Sequence, residues 1–165
     1  MTQALERIAY REEGPADSPV ALLLHGYPES SYMWRGVMPA VAQAGWRALA
    51  PDLPGFGDSP AEAAVDEYWK CFADPDRRRG QLELYRSGDF EKLAPYEGRL
   101  AALGVPAKVI WGEDDPFAPV AGAHRLHAEL TGSELVVIDG AGHFVVEDAP
   151  ERYGAELGAF LRAVA

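Results

Sequence analysis

The sequence has few cysteines and few basic residues, and each shortage excludes a class of protein. Cys71 is the only cysteine, so no disulfide can form within the chain, which is typical of a reducing cytoplasm. The 15 Lys and Arg residues face 26 Asp and Glu residues, which gives a net charge of −11. Such an acidic chain is poorly suited to bind nucleic acid or an anionic membrane surface. We therefore expect a cytoplasmic protein with no nucleic-acid and no membrane partner.

Long apolar segments are missing as well. Runs such as Val20–Leu24 are far shorter than the roughly 20 residues that a membrane-spanning helix needs. Residues 1–13 are polar and lack the apolar core of a secretory signal. The remaining composition, 48% hydrophobic and 25% charged over 165 residues, is that of an ordinary globular protein with one core. We predict a single domain over residues 1–165.

Short apolar strands alternate with amphipathic helices along the chain. Strands are predicted at Glu6–Arg11, Val20–Leu24, Trp46–Ala50, Ala107–Trp111 and Leu135–Ile138. Helices are predicted at Tyr32–Ala44, Asp76–Arg86, Asp89–Leu103 and Pro150–Val164, with another ending near Leu130. The segment Asp89–Leu103 is predicted to be interrupted by Pro95. Strand–helix–strand connections favour parallel pairing with right-handed crossovers. The predicted fold class is therefore α/β, a three-layer α-β-α sandwich around a short, mostly parallel sheet.

Residues 60–104 are predicted to be a helical connection. The segment Ser59-Pro60-Ala61-Glu62 is a capping box with proline at the first helical position, so Ser59 is better explained as an N-cap than as a nucleophile. The helix that it opens carries an aromatic stripe over Tyr68–Phe72, which we interpret as a packing surface.

Polar groups follow three of the predicted strands, namely His25 with Gly26, Asp115, and His143. The carboxyl ends of parallel strands share one edge of a sheet, where ligands bind. A carboxylate bonded to one nitrogen of a histidine fixes its tautomer and makes the pair a general base. Backbone N–H groups beside Gly26 could form an oxyanion hole, because glycine lets a substrate approach the main chain.

Other polar residues near these strands have simpler interpretations. His25 is expected to order its own loop by hydrogen bonding rather than to act as a base. The negative charges of Glu147 and Asp148 are expected to stabilise the N-terminus of the last helix. His124 and His127 lie three residues apart and are a weak suggestion of a metal site, so no metal is predicted.

Four segments together resemble the α/β-hydrolase fold family, in particular its epoxide hydrolase and haloalkane dehalogenase branch. They are His25-Gly26-Tyr27-Pro28, the loop 52–59, Trp111-Gly112-Glu113-Asp114-Asp115-Pro116, and Gly140-Ala141-Gly142-His143-Phe144. The resemblance implies hydrolysis of small-molecule esters, epoxides or carbon–halogen bonds without a cofactor.

The resemblance also implies roles for individual residues. Asp115 is the triad acid, with Asp114 as the alternative register, and His143 is the base. The loop His25, Gly26, Tyr27 and Pro28 forms the oxyanion and substrate-binding segment, with the Tyr27 amide as a donor.

The sequence departs from the family at the nucleophile. In the family, the nucleophile stands on a tight strand-to-helix elbow of the Gly-x-Ser-x-Gly type or a His-Asp-x-Gly variant. Neither pattern occurs between Pro60 and Gly104, so no nucleophile is identified. We interpret the chain as a truncated α/β-hydrolase fold without the nucleophile strand, its helix, the following strand and most of the lid. Residues 60–104 would be the remnant of the cap, and Ala107–Trp111 would pair directly with Val20–Leu24.

Three functions are consistent with these features. The first is a family hydrolase acting on a small-molecule substrate but impaired by the missing nucleophile. The second is an Asp115–His143 dyad that acts as a general base without a covalent step. The third is a non-catalytic binding or assembly module whose apolar patch is covered by a partner or by a second copy in a homodimer.

Overall fold

The computed structural model describes residues 9–52, 73, 75–88, 90–96 and 98–165. The chain forms two compact units, divided between Ser87 and Gly88. The predicted Ser59 cap and the Tyr68–Phe72 stripe lie outside the described residues. The single-domain organisation of residues 1–165 stays a prediction.

The first unit contains a three-stranded sheet. Its strands are β1 (Tyr10–Glu13), β2 (Val20–Leu22) and β3 (Arg47–Pro51), in the order β1-β3-β2. β2 is parallel to β3, as predicted, whereas β1 is antiparallel to it. A 3-10 helix (Ser31–Gly36) and helix α1 (Met38–Gln43) connect β2 to β3. The apolar core of this unit includes the buried side chains of Val37, Met38, Val41, Ala48 and Ala50.

The uninterrupted apolar run Val20–Leu24 predicts a central strand that is buried on both faces. This prediction is wrong for the described residues, because β2 lies at the edge of their three-stranded sheet. Val20, Leu22 and Leu24 are 52%, 56% and 55% exposed, whereas Leu23 is 7% exposed. This alternation shows that one face of the strand contacts the core and the other does not. An uninterrupted apolar run cannot distinguish these two cases, because both faces carry apolar residues.

Within the first unit, β2 pairs with β3. The predicted pairing of Val20–Leu24 with Ala107–Trp111 would join the two units, and it stays a prediction.

The connection between the two sheets is helical where it is described. Helix α2 (Pro75–Ser87) confirms the helix predicted at Asp76–Arg86. The α-helix predicted over Asp89–Leu103 is replaced by two 3-10 helices, Phe90–Tyr96 and Leu100–Ala102. Pro95 lies inside the first of them and supplies no N–H donor, and Gly98 has a positive φ of 73°. Both features interrupt a regular α-helix.

The second unit contains the parallel strands β4 (Lys108–Gly112) and β5 (Glu134–Ile138). Helix α3 (Ala121–Glu129) connects them. After β5, the chain forms the short helix α4 (Val145–Asp148) and then α5 (Pro150–Val164), which confirms the predicted last helix.

The register of β4 and β5 places their carboxyl ends side by side, with Gly112 opposite Ile138. We call residues 113–120, after β4, the acid loop and residues 139–144, after β5, the histidine loop. The two loops therefore start next to each other. Within the described ranges, none of the helices has the length and hydropathy that crossing a membrane requires.

Candidate active site

Asp115 and His143 are in direct contact, although 28 residues separate them in the chain. The Nδ1 atom of His143 lies 2.9 Å from Oδ2 of Asp115. The Asp115 side chain is 5% exposed, whereas that of His143 is 41% exposed. Asp114, the alternative register, is exposed, and its backbone N–H donates to the carbonyl oxygen of Ala141. The structure thus selects Asp115 as the carboxylate that contacts His143.

The carboxylate of Asp115 is also held by its own loop. Its Oδ1 atom accepts hydrogen bonds from the backbone N–H groups of Phe117 and Ala118, both at 2.8 Å. Burial alone would raise the pKa of Asp115, but the bonds from Ala118, His143 and Phe117 together outweigh it and lower the pKa. At neutral pH, Asp115 is therefore an ionised acceptor. It follows that Nδ1 of His143 carries the hydrogen and that Nε2 is the unprotonated nitrogen of the neutral ring.

The two loops that carry this pair are packed backbone to backbone. The N–H of Glu113 donates to the carbonyl of Ile138 at 3.0 Å, and that of Asp114 donates to Ala141 at 3.0 Å. A Cβ atom on Gly112 would clash with the carbonyl oxygens of Ala141 and Gly142. Glycine at 112 is therefore required for the close approach that brings Asp115 to His143.

The ring of His143 contacts two aromatic rings. The centroid of Phe117 is 5.3 Å away and that of Phe144 is 5.6 Å away, both in edge-to-face geometry. These contacts and the bond to Asp115 are compatible with a fixed ring orientation.

A cavity of about 190 Å³ lies beside the pair. Its walls combine the end of β4, the acid loop and the histidine loop, and they are mostly apolar: Ile110, Trp111, Gly112, Asp115, Ala118, Gly142, His143 and Val145. The indole N–H of Trp111 donates to the carbonyl of Ala118 at 2.9 Å, which ties one wall to the acid loop.

The predicted oxyanion loop lies in the first unit. His25 is buried, and its Nδ1 is 2.8 Å from the carbonyl oxygen of Gly26, which confirms that it bonds within its own loop. The Gly26 N–H donates to the carboxylate of the buried Glu29 at 3.0 Å. The Tyr27–Pro28 peptide bond is cis. The oxyanion and substrate-binding roles of His25, Gly26, Tyr27 and Pro28 stay predictions.

Sequence reasoning missed three contributors to the site. The amides of Phe117 and Ala118 bind Asp115, and the side chain of Asp148 binds the histidine loop. The first two had a local signal, because an Asp followed by Pro is typical of a turn in which the Asp side chain accepts backbone N–H groups. For Asp148, the sequence offered only a helix-terminus interpretation.

Metal ligation has no support within the described ranges. No group of three or more His, Cys, Asp or Glu side chains there is arranged to hold a metal ion. His127 instead places Nδ1 2.7 Å from the Ser133 hydroxyl.

Two family models match the chain. A model described as alpha/beta hydrolase fold matches residues 19–76, and one described as TAP-like protein matches residues 91–161.

Curated relatives match over part of the chain. A haloalkane dehalogenase of Mycobacterium marinum is 48% identical over 62 residues, which are 38% of this chain and 21% of that protein. Epoxide hydrolase A of Mycobacterium tuberculosis is 44% identical over 62 residues, 38% of this chain and 19% of that protein. The match thus spans about a fifth of the length of these relatives.

Solved structures agree on the fold. An α/β hydrolase from the metagenome of lagoon sediments at Mar Chica, Morocco, superposes with a TM-score of 0.71 at 17% identity, covering 98% of this chain and 97% of that one. At this identity, the likeness concerns the fold alone. Family models at both ends of the chain, relatives among dehalogenases and epoxide hydrolases, and the shared fold lead to one conclusion: the chain belongs to the α/β-hydrolase fold family.

Proposed function

We propose that this protein hydrolyses a small, neutral ester, epoxide or haloalkane, with His143 as general base and Asp115 as its orienting acid. The observation that carries the proposal is the 2.9 Å contact between His143 and Asp115 beside an apolar cavity. In the proposed reaction, water rather than a side chain attacks the substrate, because the sequence has no nucleophile elbow between Pro60 and Gly104.

For an ester, the proposed reaction moves one proton from water to the leaving oxygen through His143. Water attacks the carbonyl carbon while Nε2 of His143 takes a proton from it, and the negative charge of Asp115 stabilises the resulting imidazolium. The bond between the acyl carbon and the leaving oxygen then breaks, and the imidazolium returns the proton to that oxygen. The products are a carboxylic acid and an alcohol, and no covalent enzyme intermediate forms.

The cavity supports a small neutral substrate. An apolar cavity of about 150 Å³ is sufficient to hold benzene, and the cavity here measures about 190 Å³. A single ring or a short alkyl chain would therefore fill it. An anionic substrate would meet the carboxylate of Asp115 and a chain of net charge −11, and none of the residues that line the cavity is Lys or Arg.

The proposed turnover is low. General-base catalysis contributes roughly 10²- to 10⁴-fold, and the additional factor that a covalent nucleophile supplies would be missing. Impairment relative to hydrolases with a complete triad is thus part of the proposal.

The test is turnover of a panel of activated esters, epoxides and haloalkanes by the wild type and by His143→Ala. We expect His143→Ala to lose about 10²- to 10⁴-fold in kcat/KM. His124→Ala is the matched control, because His124 is an exposed histidine on α3 that does not line the cavity, and this variant should keep wild-type rates. Equal rates for His143→Ala and the wild type would refute the proposal. A covalent adduct with a mechanism-based probe at Ser31, Ser59 or Cys71 would refute the water attack.

A second candidate function is assembly, and the exposed apolar face of β2 favours it. Val20, Leu22 and Leu24 are each more than half exposed, and β2 is an edge strand among the described residues. Such a face and edge suit a second copy of the chain in a homodimer. We expect size-exclusion chromatography to show a dimer that Leu22→Lys converts to monomer. A monomeric wild type would refute assembly without affecting the hydrolase proposal.

A cytoplasmic location is part of the proposed function, and it rests on the single cysteine, Cys71.

A further inference from the structure

We propose that Asp148 is a positioning residue that holds His143 in place for its contact with Asp115. Its effect on turnover rests on the proposed function of His143, whereas its effect on the geometry of the histidine ring does not.

Asp148 is bonded to the histidine loop on both sides of His143. Its Oδ2 atom accepts the N–H of Gly142 at 2.8 Å, and its own backbone N–H donates to the carbonyl of Phe144 at 2.9 Å. Gly142 and Phe144 are the direct neighbours of His143 in the chain. One residue therefore clamps the backbone immediately before and immediately after the base.

The backbone at this point needs such a clamp. Gly142 has no Cβ atom and can adopt a wider range of φ and ψ than any other residue. The preceding residue, Ala141, is buried and tied through its carbonyl to the N–H of Asp114. Without the bond to Asp148, the chain would regain freedom between that tie and the histidine.

Asp148 is not the N-cap of the last helix. α5 begins at Pro150 with Ala149 as its N-cap, and Ala149 makes no side-chain capping bond. The carboxylate of Asp148 bonds to the N–H of Gly142 instead, and the expected effect of its charge on the N-terminus of α5 stays a prediction. A bond from a backbone N–H to an ionised carboxylate is among the stronger hydrogen bonds in proteins.

The clamp affects catalysis through distance. The side chain of His143 is 41% exposed, so packing constrains its ring only in part. The position of its backbone therefore helps to set where Nδ1 meets Oδ2 of Asp115. A displacement of about 1 Å in a catalytic group can lower a rate by about 100-fold. Removing the carboxylate of Asp148 should therefore loosen the pair without touching either member.

The experiment compares four variants by two readouts. Asp148→Ala and Asp148→Ser remove the carboxylate, Asp148→Asn keeps an oxygen that can accept the Gly142 N–H, and Glu151→Ala removes an exposed carboxylate nearby as the charge control. Asp148 is exposed, so these variants are expected to fold. The first readout is the tautomer of the neutral His143 ring from ¹H–¹⁵N correlation spectra, and the second is kcat/KM on the panel.

We expect the wild type, Asp148→Asn and Glu151→Ala to show the tautomer protonated at Nδ1. Asp148→Ala and Asp148→Ser should show a mixture of tautomers and a kcat/KM lower by about 10- to 100-fold. Wild-type ring signals in both removal variants would overturn the proposal. Failure of Asp148→Asn to restore those signals would overturn it too, because the charge rather than the hydrogen bond would then be responsible. Absence of turnover in the wild type would refute the proposed hydrolysis, while the ring signals would still decide the role of Asp148.

Discussion

The substitution Asp115→Asn separates the chemistry of the acid loop from its geometry. Three hydrogen bonds end on this carboxylate: two from the amides of Phe117 and Ala118 to Oδ1, and one from His143 to Oδ2. An asparagine keeps an oxygen for the two amides, so the loop should retain its shape. Its NH₂ group would replace Oδ2 and present a donor to His143.

A donor at this position reverses the histidine tautomer. Nδ1 of His143 would have to accept a hydrogen bond, so the ring proton would move to Nε2, which could then no longer take a proton from water. We expect kcat/KM to fall by about 10²- to 10⁴-fold, the whole contribution of a general base. Bonds to a charged group are each worth about 1 kcal/mol more than neutral ones, so the free energy of unfolding should fall by at most about 3 kcal/mol for the three bonds.

The measurements are kcat/KM on the best substrate of the panel, urea unfolding, and the tautomer of His143 by NMR. The matched control is Asp114→Asn, an equal change at an exposed neighbour whose described contact is through its backbone. An Asp115→Asn protein with wild-type turnover, or one in which Nδ1 stays protonated, would show that the reasoning is wrong. An equal loss in Asp114→Asn would show that general loop disturbance, rather than the tautomer, is responsible.

Three further predictions concern the second unit, all measured by urea unfolding. Gly112→Ala should lower the free energy of unfolding by about 1–3 kcal/mol, because the new Cβ atom meets the backbone of the histidine loop. Gly122→Ala, in open space on α3, should raise it by about 0.5–1 kcal/mol. Equal effects of the two substitutions would contradict the close approach at Gly112. Burial lowers the pKa of Lys108, but its bonds to Glu156 and Glu134 outweigh burial and raise this pKa above its usual 10.5. The stability that these bonds supply is therefore lost as the pH rises beyond 10.5, and Lys108→Met should not show this loss. The bond from Lys108 lowers the pKa of Glu156 below 4.5, so stability should fall as the pH drops below 4.5, and Glu156→Gln should flatten that fall; an unchanged acid slope would contradict it.

Much of the fold was predictable because the signals are local. Short β-branched runs at 107–111 and 135–138 became β4 and β5 with boundaries shifted by about one residue, within the usual range. The last helix was predicted at its observed bounds, because Pro150 at the first position and the apolar spacing both act within the helix. The sheet order was not predictable, since strand pairing depends on elements far apart in the chain.

The candidate site was likewise predictable in part from local sequence. The residue types at the strand ends, Asp115 and His143, could be recognised from motifs, and the structure places them in contact. The family resemblance favoured Asp115 over Asp114 as the acid, but local spacing left both open. Two adjacent residues in a turn point their side chains in different directions, and no local pattern states which of them faces His143. Asp148 was assigned to a helix end, since its true partner, Gly142, is revealed only once the loop is folded back.

By itself, the sequence determined the class of fold, the acidic surface and the presence of an acid and a base after consecutive strands. These properties depend on residue type and on spacing within a single element. Only the tertiary structure decided that Asp115 is the partner of His143, that β2 exposes Val20 and Leu22 at a sheet edge, and that Asp148 clamps the histidine loop. The physical reason is that a hydrogen bond has a reach of about 3 Å, and its partners are selected by how the chain returns to itself, which no local pattern specifies.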